Sequence, residues 1–327
     1  MHRSMNTVLA YLLLVFEALI LLIIYLPAPA CAAGGVNVGE LKSDPDRVPY
    51  KGAADDASEP EVARKICVVG IAKEGYFPFI LIKPDGTTNG FDRRILSLIA
   101  YELGFDVKYR PVTWIDLMPN LKTHNIDVIA SGMSITEERM AEVNFTNPYL
   151  WVSNVLVGRE DKNLNVGTAL THNRIGVEKG TAAAVWMENN LIKKGKKISL
   201  VYYESEAVLI DDVISGKIAV AALDDTAARH AKRTKPLKIL GPYGMPDTPL
   251  GYAVRKDDTA SLEALNSGLN RIMASLYWRA NRLKYFGWSQ STKPKTARET
   301  LSRFTMTLPK NWTRQQDACY APCHSSF

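Results

Sequence analysis

Short apolar runs alternate with amphipathic segments from residue 66 onward. Ile66–Ile71 is a run rich in β-branched residues and predicts a buried strand. Apolar residues then recur at helical spacing from Asp92 to Leu103, and Gly104 predicts where this helix ends. Because strands and helices alternate in this way, the pattern predicts α/β sheets of largely parallel strands with flanking helices.

The same alternation continues to residue 287. Further predicted strands are Val107–Val112, Asp127–Ala130, Arg174–Val177, Ile198–Tyr202, Ile218–Leu223 and Gly251–Arg255. Further predicted helices are Leu117–Thr123, a helix from Thr181, Ser205–Ser215, and a long helix from Asp258 with Leu262, Leu265, Leu269, Ile272 and Leu276 on one face. The last helical element is predicted to end near Gly287.

The N-terminus predicts export from the cytoplasm. Val8–Leu26 is almost entirely apolar, and Ala28 and Ala30 after it fit a cleavage site. Residues 1–31 are therefore predicted to be a signal peptide, with an uncleaved anchor as the alternative because the run nearly reaches the length of a membrane span. Cys31 also resembles the acylated cysteine of a bacterial lipoprotein, although Ala28 stands where that pattern usually has leucine.

Two polar segments flank the region of regular elements. Residues 32–65 are rich in Gly, Ala, Asp and Pro and lack apolar periodicity, which predicts a flexible linker. Residues 288–327 form a polar tail that contains Cys319, Cys323 and His324. Export would place the two cysteines in an oxidising compartment, so a disulfide between them is expected. Haem attachment is the alternative, although the spacing is one residue longer than C-x-x-C-H, and a metal site would lack a fourth ligand.

Composition limits the partners. A chain of 327 residues with 46% hydrophobic and 23% charged residues can bury a sizeable core. The net charge of +6 is spread along the sequence without a basic block, so a nucleic acid is not expected as partner. No second apolar run of spanning length follows residue 31, which predicts a periplasmic protein or one tethered to the outer face of the cytoplasmic membrane.

Four separated segments resemble the polar amino-acid family of bacterial extracellular solute-binding proteins, family 3, which serve ABC importers. They are YFPF at 76–79 with NGFD at 89–92, Trp114 with LMPNL at 117–121 and IDVI at 126–129, SGMSITEER at 131–139 with FTNPY at 145–149, and IGVEKGT at 175–181. Each segment is weak evidence alone. Together and in this order they are strong evidence, and the resemblance extends from Ile66 to about Gly287, most of the mature chain.

The resemblance implies a two-lobed periplasmic binding protein fold of type II. Each lobe would be a mixed, mostly parallel sheet flanked by helices, with residues 66–156 plus 249–287 in lobe one and 157–248 in lobe two. The crossovers would lie near Leu156–Arg159 and Gly241–Thr248. A ligand would bind between the lobes, which would close on it by a hinge motion. The implied partner is a membrane ABC permease, and the chain is expected to be a monomer.

The resemblance also implies a binding site for an amino acid or a related small carboxylate. An amino acid presents a carboxylate and an ammonium, and each charge needs its own partner when buried. Arg139 offers a planar fork for the carboxylate, and Ser134 adds a hydroxyl or backbone donor. Thr181 begins a helix whose amides would face the same anion. Asp225, after a predicted strand, is placed to receive the ammonium.

The remaining implied site residues are Trp114, Tyr76, Ser131 and Gly132, of which the two aromatic residues would flank the ligand side chain. Two positions depart from the pattern of the family. Ala182 stands where many members have a second hydroxyl, so one donor to the carboxylate is missing. Lys73 stands where members that bind basic amino acids often have an acid, which argues mildly against a cationic ligand.

Each of these assignments has a structural alternative. Arg139 follows two glutamates and could form a surface ion pair, and Trp114 could be a core residue. Asp225 could cap a helix, and Ser134 could hold its loop.

Two rival functions stay open at this point. One is a lyase or dehydratase on the same fold, with Asp225 or Glu74 as acid or base. The other is a sensory or electron-transfer protein that uses Cys319, Cys323 and His324. Motifs typical of hydrolases, zinc proteases and nucleotide-binding loops are absent from the sequence. A binding protein without cofactor or metal, and not an enzyme, is therefore the prediction.

Overall fold

A computed structural model describes residues 65–171 and 174–287 of the chain. The predicted export signal, the linker up to residue 64 and the tail with Cys319, Cys323 and His324 lie outside these ranges. Within them, none of the helices has the length and apolar character that a membrane crossing requires. The same residues contain no cluster of three or more His, Cys, Asp or Glu that could hold a metal ion.

Regular elements follow the predicted alternation. The strands are β1 Ile66–Ala72, β2 Leu81–Ile82, β3 Thr88–Asn89, β4 Asp106–Val112, β5 Val128–Ile129, β6 Val143–Phe145, β7 Leu150–Val152, β8 Asn154–Arg159, β9 Arg174–Glu178, β10 Ser199–Tyr203, β11 Val220–Asp224, β12 Leu237–Pro242, β13 Thr248–Leu250 and β14 Ala253–Arg255. The helices are α1 Phe91–Leu103, α2 Leu117–Lys122, α3 Glu137–Glu142, α4 Val166–Ala169, α5 Ala182–Met187, α6 Glu206–Ser215, α7 Asp225–Thr234, α8 Thr259–Met273 and α9 Leu276–Phe286.

Two five-stranded sheets form the centres of two lobes. The strand order is β4-β1-β5-β14-β6 in lobe one and β10-β9-β11-β8-β12 in lobe two. In lobe one, β1 runs parallel to β4 and β5, and β14 is antiparallel to its two neighbours. Lobe two repeats this arrangement, with β9 parallel to β10 and β11, and β8 as the reversed strand. The predicted mixed, mostly parallel architecture is confirmed.

The first crossover lies before the position that the sequence predicted. Residues Asn154–Arg159 form β8, whose backbone pairs with β11 and β12 in lobe two, so Leu156 belongs to that lobe. The chain passes between the lobes at Ser153 on the way out and near Asp247 on the way back. These two residues are joined, because the Ser153 hydroxyl donates to Asp247 Oδ1 at 2.7 Å. The antiparallel pair of β7 and β13 places both crossover strands side by side.

Helices α1 and α8 cover the same core of lobe one. Ile95, Ile99 and Leu269 are fully buried there. Gly268 permits this close approach, since a Cβ at that position would lie 2.7 Å from Cγ2 of Ile99. The predicted long helix is in fact two helices, because Ser275 caps α9 through its hydroxyl. Leu276, predicted on the apolar face, is instead 78% exposed as the first residue of α9.

Candidate ligand-binding site

A cavity of about 660 Å³, counting its open mouth, lies between the two lobes. It is built mainly at the carboxyl ends of β1, β5, β9, β10 and β11, the edge at which open α/β sheets commonly bind ligands. The residues that line it are Ala72, Gly75, Tyr76, Trp114, Gly132, Ser134, Val152, Asn154, Glu178, Thr181, Ala182, Ala183, Glu206, Ala222, Leu223 and Asp224. Both lobes therefore contribute to one cavity.

Five of the eight residues that the sequence predicted line this cavity. They are Tyr76, Trp114, Gly132, Ser134 and Thr181. Ser131 lies beneath the surface instead: it is fully buried, and its hydroxyl accepts the amide of Ala72 at 3.1 Å. This bond ties the loop after β5 to the end of β1, so the contribution of Ser131 is to hold the cavity wall.

A buried carboxylate fixes the conformation of the loop that carries Gly132. Oδ2 of Asp92, a fully buried residue near the start of α1, accepts the amide of Gly132 at 2.6 Å. Gly132 has a φ of +60°, and a Cβ there would lie 2.7 Å from the ring of Tyr76. Glycine is therefore required both by the left-handed backbone and by the close approach of the aromatic ring.

Arg139 lies at the seam between the lobes. Its guanidinium donates to the carbonyl of Ser134 at 2.8 Å and, across the cleft, to the carbonyl of Gly180 at 3.0 Å. The carbon of the guanidinium lies 5.3 Å from the ring centroid of Trp114, within the range of a cation–π contact. Burial lowers the pKa of Arg139 to about 10, so the group stays charged at neutral pH. The contacts of Arg139 are thus two carbonyls and an aromatic ring, and not the surface ion pair with a glutamate that was the alternative.

Asp224, one position before the predicted Asp225, is the acidic residue at the end of β11 that lines the cavity. Oδ1 of Asp224 caps α7 by accepting the amides of Thr226 at 2.7 Å and Ala227 at 2.9 Å. Oδ2 is buried and has no hydrogen-bond partner among the described residues. Burial raises the pKa of Asp224 to about 6, which capping only partly offsets. A buried carboxylate oxygen at a cavity wall is a ready acceptor for a cationic group.

The structure thus corrects the prediction for Asp225. This residue does not line the cavity. Its Oδ1 accepts the amide of Ser153 at 3.1 Å and its Oδ2 accepts from Arg229 at 3.3 Å. The first contact ties α7 to the crossover at Ser153, whereas the second lies within α7, between residues one helical turn apart. Helix capping, which the sequence offered as the alternative role of Asp225, is instead a role of Asp224.

Thr181 occupies the N-cap of α5, as the sequence predicted. Its hydroxyl accepts the amide of Ala184 at 3.3 Å and donates to the carbonyl of Glu178 at 2.8 Å. Ala182 and Ala183 follow in the first turn and line the cavity. Amides in a first helical turn lack partners within the helix, so they are free to bind an anion. Because the Thr181 hydroxyl is engaged in the cap, the backbone is the main donor that this segment offers.

Comparison with known proteins agrees with the two-lobed geometry. Residues 68–288 match the family model of bacterial extracellular solute-binding proteins, family 3. The chain belongs to this family. It is similar to a probable histidine-binding protein of Neisseria gonorrhoeae, with 25% identity over 72% of this chain and 88% of the relative. It is also similar to ABC transporter arginine-binding protein 1 of Escherichia coli, with 29% identity over 61% of this chain and 82% of the relative.

A solved structure supports the same assignment. The ancestral amino-acid-binding protein AncCDT-1, a precursor of cyclohexadienyl dehydratase, matches with a TM-score of 0.62 and 25% identity. The match covers 68% of this chain and 95% of the ancestral protein. The predicted family and fold class are therefore confirmed for this solute-binding protein.

Two further carboxylates line the cavity of the solute-binding protein. Burial raises the pKa of Glu178 to about 8, and the nearby Glu206, Glu74 and Glu204 raise it as well. Burial also raises the pKa of Glu206 to about 8, against a smaller opposing effect of Lys235. Loss of hydration disfavours the ionised form of both side chains, and like charges contribute only to the shift of Glu178. At neutral pH these two side chains hold protons unless a cation comes close.

These shifts predict a pH dependence of stability. The folded state keeps protons on Glu178 and Glu206 up to a pKa of about 8, whereas the reference pKa is 4.5. The resulting contribution to stability is fully present below pH 4.5, falls progressively as the pH rises from there, and is lost by the time the pH has passed through about 8. After removal of bound ligand by unfolding and refolding, the wild-type Tm should fall between pH 5 and pH 9 by several degrees more than that of the double variant Glu178→Gln/Glu206→Gln. Equal falls would contradict this expectation.

For three of the cavity residues that were given no binding role, the sequence nevertheless contained a clue. Glu178 lies inside the segment IGVEKGT that carried the resemblance, but its side chain was given no role. Glu206 directly follows the N-cap Ser205 of a predicted helix, and Asp224 adjoins the predicted Asp225. Position at a strand end was the available clue in all three cases. Asn154 had no such clue, because the first crossover was predicted too late.

Proposed function

We propose that this solute-binding protein captures an α-amino acid between its lobes outside the cytoplasm and delivers it, as a monomer, to a membrane ABC importer. The observation that carries the proposal is the buried, unpaired Oδ2 of Asp224 in the wall of the cavity between the lobes. An ammonium group would satisfy this oxygen. It would also neutralise a carboxylate whose burial otherwise costs free energy.

The carboxylate of the ligand would bind at the opposite charge. Arg139 uses two of its nitrogens for carbonyls of Ser134 and Gly180, which leaves further N–H groups of the guanidinium for an anion. The Ser134 hydroxyl and the first-turn amides of Ala182 and Ala183 supply neutral donors in the cavity itself, and Arg139 lines an adjoining pocket that shares Ala182 with it. The donors come from both lobes, so a bound carboxylate would favour the closed arrangement.

Contacts at the rim of the cleft support a closing motion. The rings of Phe77 from lobe one and His230 from lobe two lie 3.7 Å apart between centroids. Arg139 and Gly180 make a second contact across the cleft. The two crossovers at Ser153 and Asp247 are the points about which the lobes would rotate.

The named relatives support the same proposal. One is called a probable histidine-binding protein, and another an ABC transporter arginine-binding protein. The family itself is described as extracellular. Amino-acid capture outside the cytoplasm for an importer is the function that agrees with these names and with the charges in the cavity.

Calorimetry with amino-acid analogues that lack one of the two backbone charges tests the proposal. The purified full chain, stripped of ligand by unfolding and refolding, is first screened against all proteinogenic amino acids by thermal shift. A ligand at a hundred times its Kd should stabilise the protein by about 2.7 kcal/mol. Analogues of the best ligand that lack the carboxylate or the ammonium are expected to bind at least about a hundredfold more weakly, the loss typical of an unpaired buried charge. Failure of every amino acid to bind would refute the proposal.

A dehydratase or lyase is the second candidate. Glu178 and Glu206 have pKa values near 8, which suits general acid catalysis at neutral pH, and the similar AncCDT-1 is a precursor of a dehydratase. Incubating the best ligand with the protein for a day and recording its NMR spectrum separates the two functions. An unchanged spectrum supports binding alone, whereas conversion of the ligand establishes an enzyme.

A further inference from the structure

We propose that the cavity selects an amino acid whose side chain carries a positive charge. This inference rests on the proposed function and concerns the part of the ligand beyond its two backbone charges. The groups that would recognise the side chain are the carboxylates of Glu178 and Glu206 in lobe two, assisted by Glu74 from lobe one.

The fold brings these three carboxylates to one place. Strands β9 and β10 are parallel neighbours, with Glu178 in register with Tyr203. Glu178 ends β9, and Glu206 follows the end of β10 by three residues, so both lie at the same edge of the sheet and line the same cavity. Glu74 comes from the loop after β1 and is close enough to Glu178 to raise its pKa. The carboxylates therefore converge on the cleft from both lobes.

Within the described ranges, none of these three side chains is directly paired with a lysine or an arginine. The structure shows neither a hydrogen bond nor an ion pair to the side chains of Glu178 and Glu206 there, and Oε2 of Glu74 is buried without a partner. Two lysines could balance these charges, Lys179 next to Glu178 in the sequence and Lys235, which slightly lowers the pKa of Glu206, but each is paired with another acid. Lys179 pairs with Glu204 at 3.8 Å, and Lys235 pairs with Asp211 at 2.7 Å. A structural cluster of acids is normally balanced by such pairs, and this one is not.

The absence of a paired cation has a direct consequence for ligand choice. Burial favours the protonated form of Glu178 and Glu206, the two glutamates that line the cavity, and repulsion from neighbouring carboxylates adds to this effect at Glu178. A guanidinium or ammonium group placed among them would restore ionisation and form charge-assisted hydrogen bonds. A neutral side chain of the same shape would gain only ordinary hydrogen bonds. Selectivity should therefore follow charge more than shape.

The other walls of the cavity accommodate such a group. Trp114 and Tyr76 line the same space and offer aromatic surface, which attracts cations. Trp114 already makes this kind of contact with Arg139. Lys73, whose presence in the sequence argued mildly against a cationic ligand, is exposed and does not line the cavity. That argument has no structural basis.

Arginine and citrulline form the decisive pair of ligands, because citrulline has nearly the same shape without the charge. Calorimetry on the full chain is expected to give arginine, or lysine, an affinity at least about a hundredfold higher than that of citrulline and glutamine, the range of a buried charge pair. In Glu178→Gln and Glu206→Gln the ratio of arginine to citrulline affinity should fall at least about tenfold. Glu263→Gln, which removes an exposed glutamate on α8, is the matched control and should keep the wild-type ratio.

The outcomes distinguish this inference from the function on which it rests. If citrulline, glutamine or another neutral amino acid binds as tightly as arginine, the charge selectivity is refuted while amino-acid binding stands. If the ratio of affinities is high but unchanged in both glutamine variants, the assignment to Glu178 and Glu206 is refuted. If no amino acid binds at all, the proposed function fails and this inference fails with it.

Discussion

Replacing Asp224 by asparagine is expected to weaken amino-acid binding at least about a hundredfold while leaving the fold intact. The substitution removes the negative charge that would pair with the ammonium of the ligand, and loss of one member of a buried charge pair costs about 2–5 kcal/mol. Asparagine is also a good N-cap residue, so its Oδ1 can keep the bonds to the amides of Thr226 and Ala227. The Tm without ligand should stay within a few degrees of the wild-type value.

Asp225→Asn is the matched control for this experiment. It removes the same charge one residue later, from a side chain that bonds Ser153 and Arg229 instead of facing the cavity. Calorimetry should show a loss of affinity below about fivefold, since an exposed ion pair such as that to Arg229 contributes little. The reverse result, with strong loss in Asp225→Asn and none in Asp224→Asn, would restore the prediction made from the sequence.

Arg139→Ala is expected to reduce binding by a similar factor of about a hundred, for two reasons. It removes the positive charge that would pair with the carboxylate of the ligand, and it breaks the bond from the guanidinium to the Gly180 carbonyl across the cleft. Arg139→Lys should recover only part of the loss, because one ammonium cannot hold two carbonyls, contact the Trp114 ring and also bind a carboxylate in a planar fork.

Two measurements separate these effects of Arg139. Calorimetry gives the affinity, and small-angle X-ray scattering at saturating ligand reports whether the lobes are closed. Arg279→Ala, which removes an exposed arginine of α9, should match the wild type in both. Wild-type affinity in Arg139→Ala would show that the carboxylate binds elsewhere and would refute the assigned role.

The fold was largely predictable because it depends on local patterns. The run from Ile66 predicted β1, and the spacing from Asp92 with Gly104 predicted α1 together with its left-handed C-cap. Short antiparallel elements were harder to predict. Strands β6, β7 and β13 have three residues each, and their pairing partners lie about a hundred residues away in the sequence. A segment that short has no period to detect.

The first crossover and the break between α8 and α9 were predicted wrongly for the same physical reason. The partners of a strand or of a capping hydroxyl are not visible in a sequence. The apolar residues 155–157 within Asn154–Arg159 could belong to either lobe, and only the hydrogen bonds of this strand to β11 and β12 place it in lobe two. The break between α8 and α9 depends on one hydroxyl, that of Ser275, which competes with continuation of the helix.

The sequence by itself determined the alternation of strands and helices, the family, and the segments whose loops line the cleft. These follow from hydrophobic periodicity and from motifs that are contiguous in the chain. Only the tertiary structure decided which charges face the ligand. Asp224 and Asp225 differ by one position, and the turn from β11 into α7 sends one carboxylate to the cavity and the other to the crossover. Glu74, Glu178 and Glu206 converge only because the folded chain brings two lobes together, which spacing along the chain does not encode.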